Sequence, residues 1–363
     1  MKVPPFQGKG GVRVALCTLM VGLPWMVPLA AQAQDFDPAG MPKVQAMVER
    51  LAGQGIDRGW LNHAMGEAHY QASVIEAMSG AAEYNLTWHK YRDIFLGEER
   101  IQEGADFIAE HRDAFERAQA RYGVPPEIIA GILGVETRYG QITGKHRVLD
   151  SLSTLAFHHP SRGKFFLGEL EAFLTIAYQQ HVDPGELKGS YAGAMGYPQF
   201  IPTSYQAYAV DFDGDGQRNL WTDPVDAIGS VANYFAEHRW QPGGTIYWEA
   251  EGPATPPASV DFNQAKAPYV SVAELAAKGV HPQEAIAADR RVIPLALEMA
   301  DGSTKYRLGG DNFYVITRYN HSHFYAMAVT ELSEAIALAL EQQESGEMGK
   351  GGWLDATVKE TAP

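Results

Sequence analysis

Cysteine is almost missing from this chain: Cys17 is the single one in 363 residues. One thiol cannot close an intramolecular disulfide, which excludes a disulfide-stapled fold and paired-thiol redox chemistry. Basic side chains are also scarce, 29 Lys and Arg against 44 Asp and Glu, for a formal net charge of −15. So acidic a chain disfavours nucleic acid as a partner. After residue 33 no apolar run is long enough to span a membrane. The pairs His158-His159 and His321-x-His323 lack a third ligand at a telling spacing, which argues against a transition-metal site at either. No internal repeat is visible. What is present is ordinary globular composition, 45% hydrophobic and 20% charged, enough for two or three units sharing cores.

Residues 1–33 differ from the rest. Lys2, Lys9 and Arg13 precede the apolar run Val14 to Leu29, and Ala31-Gln32-Ala33 supplies small residues at −3 and −1. This pattern predicts a secretory signal cut after Ala33, and a mature periplasmic protein beginning at Gln34. The cut removes three basic residues and no acidic one, leaving a net charge of −18, and takes Cys17 with it. Leu16 stands before Cys17 where lipid attachment needs a small residue, so a lipoprotein is not expected.

The stretch Tyr122 to Gly144 organises the rest. Gly123 suits the end of one helix, and Pro125-Pro126 suit the first turn of the next. Ile129, Leu133 and Glu136 follow at i, i+4, i+7, so Glu136 sits on the apolar face of its own helix. Desolvation there raises a carboxyl pKa and favours the protonated form that a general acid needs. A buried structural glutamate paired with Arg138 or another cation is the other reading of the same helix.

Before this stretch, residues 35–84 read as helices, one ending at the Gly53-Gln-Gly55 break and the next capped by Asp57. Trp88, Tyr91 and Phe95 form an aromatic stripe, and Ile101 to Tyr122 keeps helical period as one long helix. After it, 148–157 and 165–180 read as helices, as does Asp226 to His238. From Gln241 to Gly310 the runs turn strand-like: Thr245 to Glu249, Arg291 to Leu297 and Thr304 to Leu308, with a hairpin signal at Asp301-Gly302. Ser271 to Glu274 is a capping box. Asn312 to Tyr319 reads as another strand, and His323 to Gln343 as a final helix. The tail 344–363 is polar and Gly-rich and is expected to be disordered.

Two segments carry further signals. Between 187 and 210, Gly189, Gly193 and Gly196 allow close backbone approach, with polar Gln199 set between Pro198 and Phe200. Tight packing without a ligand would use the same residues. Asp211, Asp213, Asp215 and Gly216 then spell D-x-D-x-D-G, the first half of an EF-hand loop. Thr222 stands where the usual Glu would be; Asp223 or Asp226 could supply the later carboxylate instead, and a solvated acidic turn without a cation is the other reading.

Together these segments resemble the membrane-bound lytic transglycosylase B family of bacterial cell-wall enzymes. The likeness runs in one order from about Tyr91 to Tyr325. It takes in Gly-Val-Glu136-Thr-Arg-Tyr-Gly, Gly-Ser190-Tyr-Ala-Gly-Ala-Met-Gly-Tyr-Pro-Gln199-Phe, the Asp211 loop, the Asp226 to Phe235 segment with Tyr234, and Thr-Arg-Tyr319-Asn320-His-Ser. The resemblance implies an α+β, mostly helical fold: a lysozyme-like helical core, an added helical domain and a small antiparallel β domain, with the EF-hand-like loop nearby. The divisions expected are a signal at 1–33, a helical region at 34–96, the catalytic core at 97–240 with the calcium loop at 211–226, the β domain at 241–318, a C-terminal helix completing the groove at 319–343, and the tail 344–363.

The activity implied is cleavage of the MurNAc–GlcNAc bond of peptidoglycan without water, leaving a 1,6-anhydro-MurNAc end. Matched residue by residue, the family's acid/base falls on Glu136. Its groove falls on Tyr91, Arg162, Ser190, Gln199, Tyr319, Asn320 and Tyr325, with Tyr234 beside them. Its calcium loop falls on Asp211, Asp213, Asp215, Gln217 and Asp226. The only cofactor implied is a structural Ca2+, with no organic group. The partners implied are peptidoglycan glycan strands and other cell-wall enzymes. A lysozyme-like hydrolase and a non-catalytic peptidoglycan-binding protein are the rival functions. A second acid placed across the scissile bond, as most glycosidases have, is not evident; Glu169 and Glu171 read as structural or surface residues.

Overall fold

The computed structural model describes residues 35–80 and 86–346. The expected signal and most of the expected tail lie outside the described residues. Helices α1 (Pro42–Gly53), α2 (Arg58–Gly66) and α3 (Ala72–Gly80) open the described chain. Asp57 caps α2 by accepting from the Trp60 N–H at 2.7 Å, as its position predicts. Then come α4 (Trp88–Asp93), α5 (Glu98–Glu110), α6 (Arg112–Tyr122) and α7 (Pro126–Thr137). The expected single helix from Ile101 to Tyr122 is two, because the backbone leaves helical geometry at His111 (φ −110°, ψ 29°). The apolar period survives that break: Phe107 and Phe115 still meet edge to face at 5.8 Å.

Strand β1 (His146–Arg147) precedes α8 (Val148–His158) and α9 (Gly163–Gln179). β2 (Lys188–Gly189) pairs back onto β1, and α10 (Pro202–Tyr208) and α11 (Pro224–Glu237) follow. The sheet region holds β3 (Tyr247–Glu251), β4 (Val270–Ser271), α12 (Val272–Ala276), β5 (His281–Pro282), β6 (Arg291–Glu298) and β7 (Thr304–Gly309). Its five strands are antiparallel in the order β4-β6-β7-β3-β5. The β6–β7 hairpin turns at Asp301-Gly302, where Gly302 takes φ 80°, and α12 starts on the expected capping box. The chain closes with α13 (Asp311–Tyr319) and α14 (His323–Ser345).

The expected strand at 312–319 is therefore the helix α13. Its β-branched run Val315-Ile316-Thr317 favours a strand. But Asn312, Phe313, Ile316 and Thr317 fall on one helical face and are all buried. Tertiary packing outweighs local preference there.

Two cores hold the helices. One joins α4 to α7, α11, α13, α14 and the Ile293, Leu295 and Leu297 face of β6. The other joins the residues of α1 to α3 with α8, α9 and the loop after β2. Strand alternation lets β6 serve both sides of the sheet: Val292 points into a small third core with Leu275, Tyr306 and Leu308. Helix α7 is buried nearly all round, from Ile128 to Gly134, the pattern of a central helix. Gly131 lets α14 approach, since a Cβ there would lie 2.2 Å from Ser333 Oγ.

Candidate active site

Glu136 lies in the last turn of α7, one residue before the helix ends at Thr137. Arg138, Tyr139 and Gly140 all take positive φ, at 50°, 58° and 86°. Three left-handed residues in a row are costly for non-glycines, and side chains hold them in place. Arg138 forks onto Glu103 at 2.6 and 2.7 Å and reaches Glu99 at 2.7 Å. Tyr139 is buried, packs its ring on Gly134 and donates to the Arg100 carbonyl at 2.8 Å. Thr137 Oγ1 donates to the Tyr197 carbonyl at 2.8 Å and accepts from the Gly140 N–H at 3.0 Å. Thr137 and Tyr139 are supports that the sequence reading did not single out. Their signal was only the Gly134 and Gly140 spacing around them.

Arg138 is thus turned away, and the reading of Glu136 as its ion-pair partner fails. Glu136 instead accepts a hydrogen bond from the Tyr325 hydroxyl at 2.6 Å. Burial pushes its carboxyl up to about 7, and the Tyr325 hydrogen bond opposes that only in part. No cation among the described residues pairs with it. Burial, and after it the charge of the Glu136 carboxyl, raise the pKa of the Tyr91 and Tyr319 hydroxyls, so both lie within its field. The Tyr319 and Tyr325 rings lie nearly parallel, 11° apart at 6.3 Å. Tyr319 donates to the Pro198 carbonyl at 2.5 Å, tying the 190–200 loop to α13.

Gln199 sits in that loop with φ 49° and donates to the carbonyls of Gly196 and Thr143 at 2.8 and 3.1 Å. Ser190 Oγ accepts from the Ala194 and Ala192 N–H groups at 3.0 and 3.3 Å, bracing the same loop. Tyr234 is buried behind Tyr319, 4.8 Å between ring centroids, and its hydroxyl donates to the Arg318 carbonyl at 2.6 Å. Its hydroxyl is therefore engaged within the protein. Arg162 is exposed and lies over the rings of Phe165 and Phe166; Asn320 is exposed at the end of α13. Neither side chain hydrogen-bonds to or stacks on Glu136, Tyr91, Tyr319 or Tyr325.

The two other acids weighed in the sequence are engaged elsewhere. Glu169 is buried and accepts from Thr203 N–H and Oγ1 at 2.9 and 2.8 Å. Glu171 pairs with Arg50.

The acidic loop stands apart from Glu136. Carboxylate oxygens of Asp211, Asp213 and Asp215 lie within 4.8 Å of one another, and so do those of Asp213, Asp223 and Asp226. Backbone donors fold the loop around them: Gly214 and Gly216 onto Asp211, Asp215 onto Asp213, and Gln217 onto Asp215. Asp226 is buried, accepting from the Phe212 and Asn219 N–H groups at 2.6 and 2.7 Å, and Asp223 caps α11. Hard oxygen donors gathered this closely suit a hard cation such as Ca2+.

Comparison with known proteins fits this arrangement. Residues 40–334 match the transglycosylase SLT domain family. The membrane-bound lytic murein transglycosylase B of Escherichia coli K12 is 45% identical over 318 residues, 84% of this chain and 86% of that protein. A lytic transglycosylase structure from Escherichia coli, solved in complex with calcium, superposes with a TM-score of 0.78 at 46% identity, covering 84% of this chain and 96% of that one. A soluble lytic transglycosylase from Pseudomonas aeruginosa gives 0.77 at 44% identity, covering 82% and 99%. The chain belongs to the lytic transglycosylase family that carries the SLT domain.

Proposed function

We propose that this lytic transglycosylase cleaves the β-1,4 bond between MurNAc and GlcNAc in peptidoglycan with Glu136 as its only acid and base. One observation carries the reading: a buried carboxyl, held by Tyr325 and pushed up to about 7, with no cation paired to it and no second acid bearing on it among the described residues. Protonated Glu136 donates to the glycosidic oxygen. The C1–O bond breaks, its electron pair leaves with the GlcNAc oxygen, and an oxocarbenium-like centre forms at C1 of MurNAc. Glu136, now a carboxylate, accepts the proton of the C6 hydroxyl as that oxygen closes on C1. The nucleophile belongs to the same sugar, so its effective concentration is high and no water need be positioned. Tyr325 keeps a hydroxyl on the carboxylate while it is charged, and Tyr319 and Tyr91 border the reacting sugars.

Asp211, Asp213, Asp215 and Gln217, with Asp226 or Asp223, would hold Ca2+. It would neutralise the clustered carboxylates and fix the loop, with no part in proton transfer. Asp226 is the stronger later ligand because its buried oxygens already bind both ends of the loop, Phe212 and Asn219.

Glu136→Gln tests the reading. The amide keeps the shape but cannot supply an acidic proton, so lysis of purified sacculi should fall by at least ~10²–10⁴-fold. A variant keeping a tenth of wild-type turnover would remove Glu136 from the chemistry.

A further inference from the structure

Helix α2 and the end of α9 enclose a cleft of about 390 Å³ that the chemistry of Glu136 does not use. Its size falls within the range of small-ligand sites, ~300–1,000 Å³. Trp60, His63 and Glu67 stand at i, i+3, i+7 and line it from one face of α2 and its cap. Tyr178 and the turn at 181–183 line it from the other side. The cleft lies at the opposite end of α9 from Arg162, roughly 24 Å along the helix at 1.5 Å per residue. Its walls are fixed. Arg147 Nε donates to the Gly185 carbonyl at 2.8 Å and Nη1 to the Glu67 carbonyl at 3.2 Å, which clamps the loop after α9 to the end of α2. His181 takes φ 56°, a costly conformation for a non-glycine. The Val182 N–H holds it there by donating to the Ala177 carbonyl at 3.0 Å.

The polar groups of this cleft are unspent. The side chains of Trp60, His63, Glu67, Tyr178 and His181 hydrogen-bond to no other described residue. The rings of Trp60 and Tyr178 meet edge to face at 5.2 Å and form an aromatic corner. Around it the indole N–H donates, the carboxylates of Glu67 and Asp183 accept, and the imidazoles and the phenol can do either. No lysine or arginine lines the cleft, so an anionic ligand would meet two acids and no fixed cation. Among the described residues, the acids and histidines close enough in threes to share an ion lie in the 211–226 loop, so the cleft is not laid out as a metal centre. An aromatic corner offers area to the C–H face of a sugar ring, and alternating donors and acceptors match its hydroxyls and acetamide. We infer that this cleft is a second carbohydrate site, separate from the catalytic group, for uncharged N-acetylglucosamine units of a glycan strand. It gives the protein a hold on the strand that does not depend on the bond being cleaved. The inference rests on the peptidoglycan reading above.

NMR titration of the intact protein, carrying isotopically labelled tryptophan, with chitotriose tests it; this uncharged GlcNAc trimer is the probe. The Trp60 indole N–H signal, assigned by its loss in Trp60→Phe, should shift and saturate. Tyr178→Phe and Glu67→Gln each delete one polar function without opening a cavity. Each should weaken the Trp60 response about fivefold, the scale of one net hydrogen bond. Both variants should also be retained less on purified sacculi, while turning over a short soluble glycan fragment at the wild-type rate. A Trp60 signal that chitotriose leaves unmoved, or a response in both variants equal to that of the wild type, would overturn the inference. Failure of the wild type to lyse sacculi would instead count against the peptidoglycan reading itself.

Discussion

Glu136 carries a signature that can be read without substrate. Burial pushes its carboxyl up to about 7 in the folded protein from an ordinary value of 4.5, so the folded state binds a proton the unfolded chain has already lost. The sign follows from linkage: stability attributable to this group is full below about pH 4.5 and declines as pH rises through 7. At pH 8 the ionised, buried carboxylate should cost about 3 kcal/mol. Glu136→Gln should therefore melt above the wild type at pH 8 and together with it at pH 4.5. Melting curves that differ equally at both pH values would mean that the carboxyl is not held protonated. This residue's place on the apolar face was legible from Ile129 and Leu133. Its partners were not, because Tyr325 lies 189 residues on and nothing local links the two. Arg138 was the misleading neighbour: close in sequence, but turned to Glu103 and Glu99 by the left-handed turn after α7.

At the scale of elements, the sheet is fixed to the helices by a buried ion network. Arg307 on β7 bonds Glu331 on α14 at 2.6 Å and Glu249 on β3 at 3.0 Å, and Arg92 on α4 reaches Glu331 at 2.6 Å. Arg307 is 4% exposed. Removing it leaves Glu331 to Arg92 and Glu249 to Lys305 at 3.2 Å, so no acid is left unpaired, and Arg307→Ala should destabilise the fold by about 1.5–3 kcal/mol, the scale of hydrogen bonds to charged groups. Chemical denaturation measures this, and a loss below about 1 kcal/mol would show the network to be ornamental. Most elements here were legible from period alone, including the β6–β7 hairpin and the cap of α2. Two were not. His111 interrupts α5 and α6 without a Gly or Pro to announce it. Helix α13 hides behind β-branched residues that its burial against α14 overrides.

For the whole molecule, the acidic loop and the chemistry are separable. Calcium should bind the folded loop and raise the melting temperature, by about 2.7 kcal/mol of stability at a hundredfold excess over Kd. With Thr222 in place of the twelfth-position Glu, Kd should fall in the range of extracellular sites, about 10⁻⁴–10⁻³ M. Asp213 belongs to both carboxylate groups, so Asp213→Ala should abolish the gain. Chelator should leave turnover intact at temperatures where the fold persists; immediate loss there would tie the ion to catalysis. The D-x-D-x-D-G spacing made this loop visible in the sequence. The spacing alone did not separate Asp223 from Asp226: both approach Asp213, and it is the fold that buries Asp226 between the loop's ends.

The central claim is that one carboxyl suffices because the sugar's own C6 hydroxyl replaces water. Mass spectrometry of the muropeptides released from purified sacculi tests it most directly. The account predicts products ending in 1,6-anhydro-MurNAc, each one water lighter than its hydrolytic counterpart, with no new reducing ends. Reducing MurNAc ends as the main product would contradict it and make the chain a hydrolase.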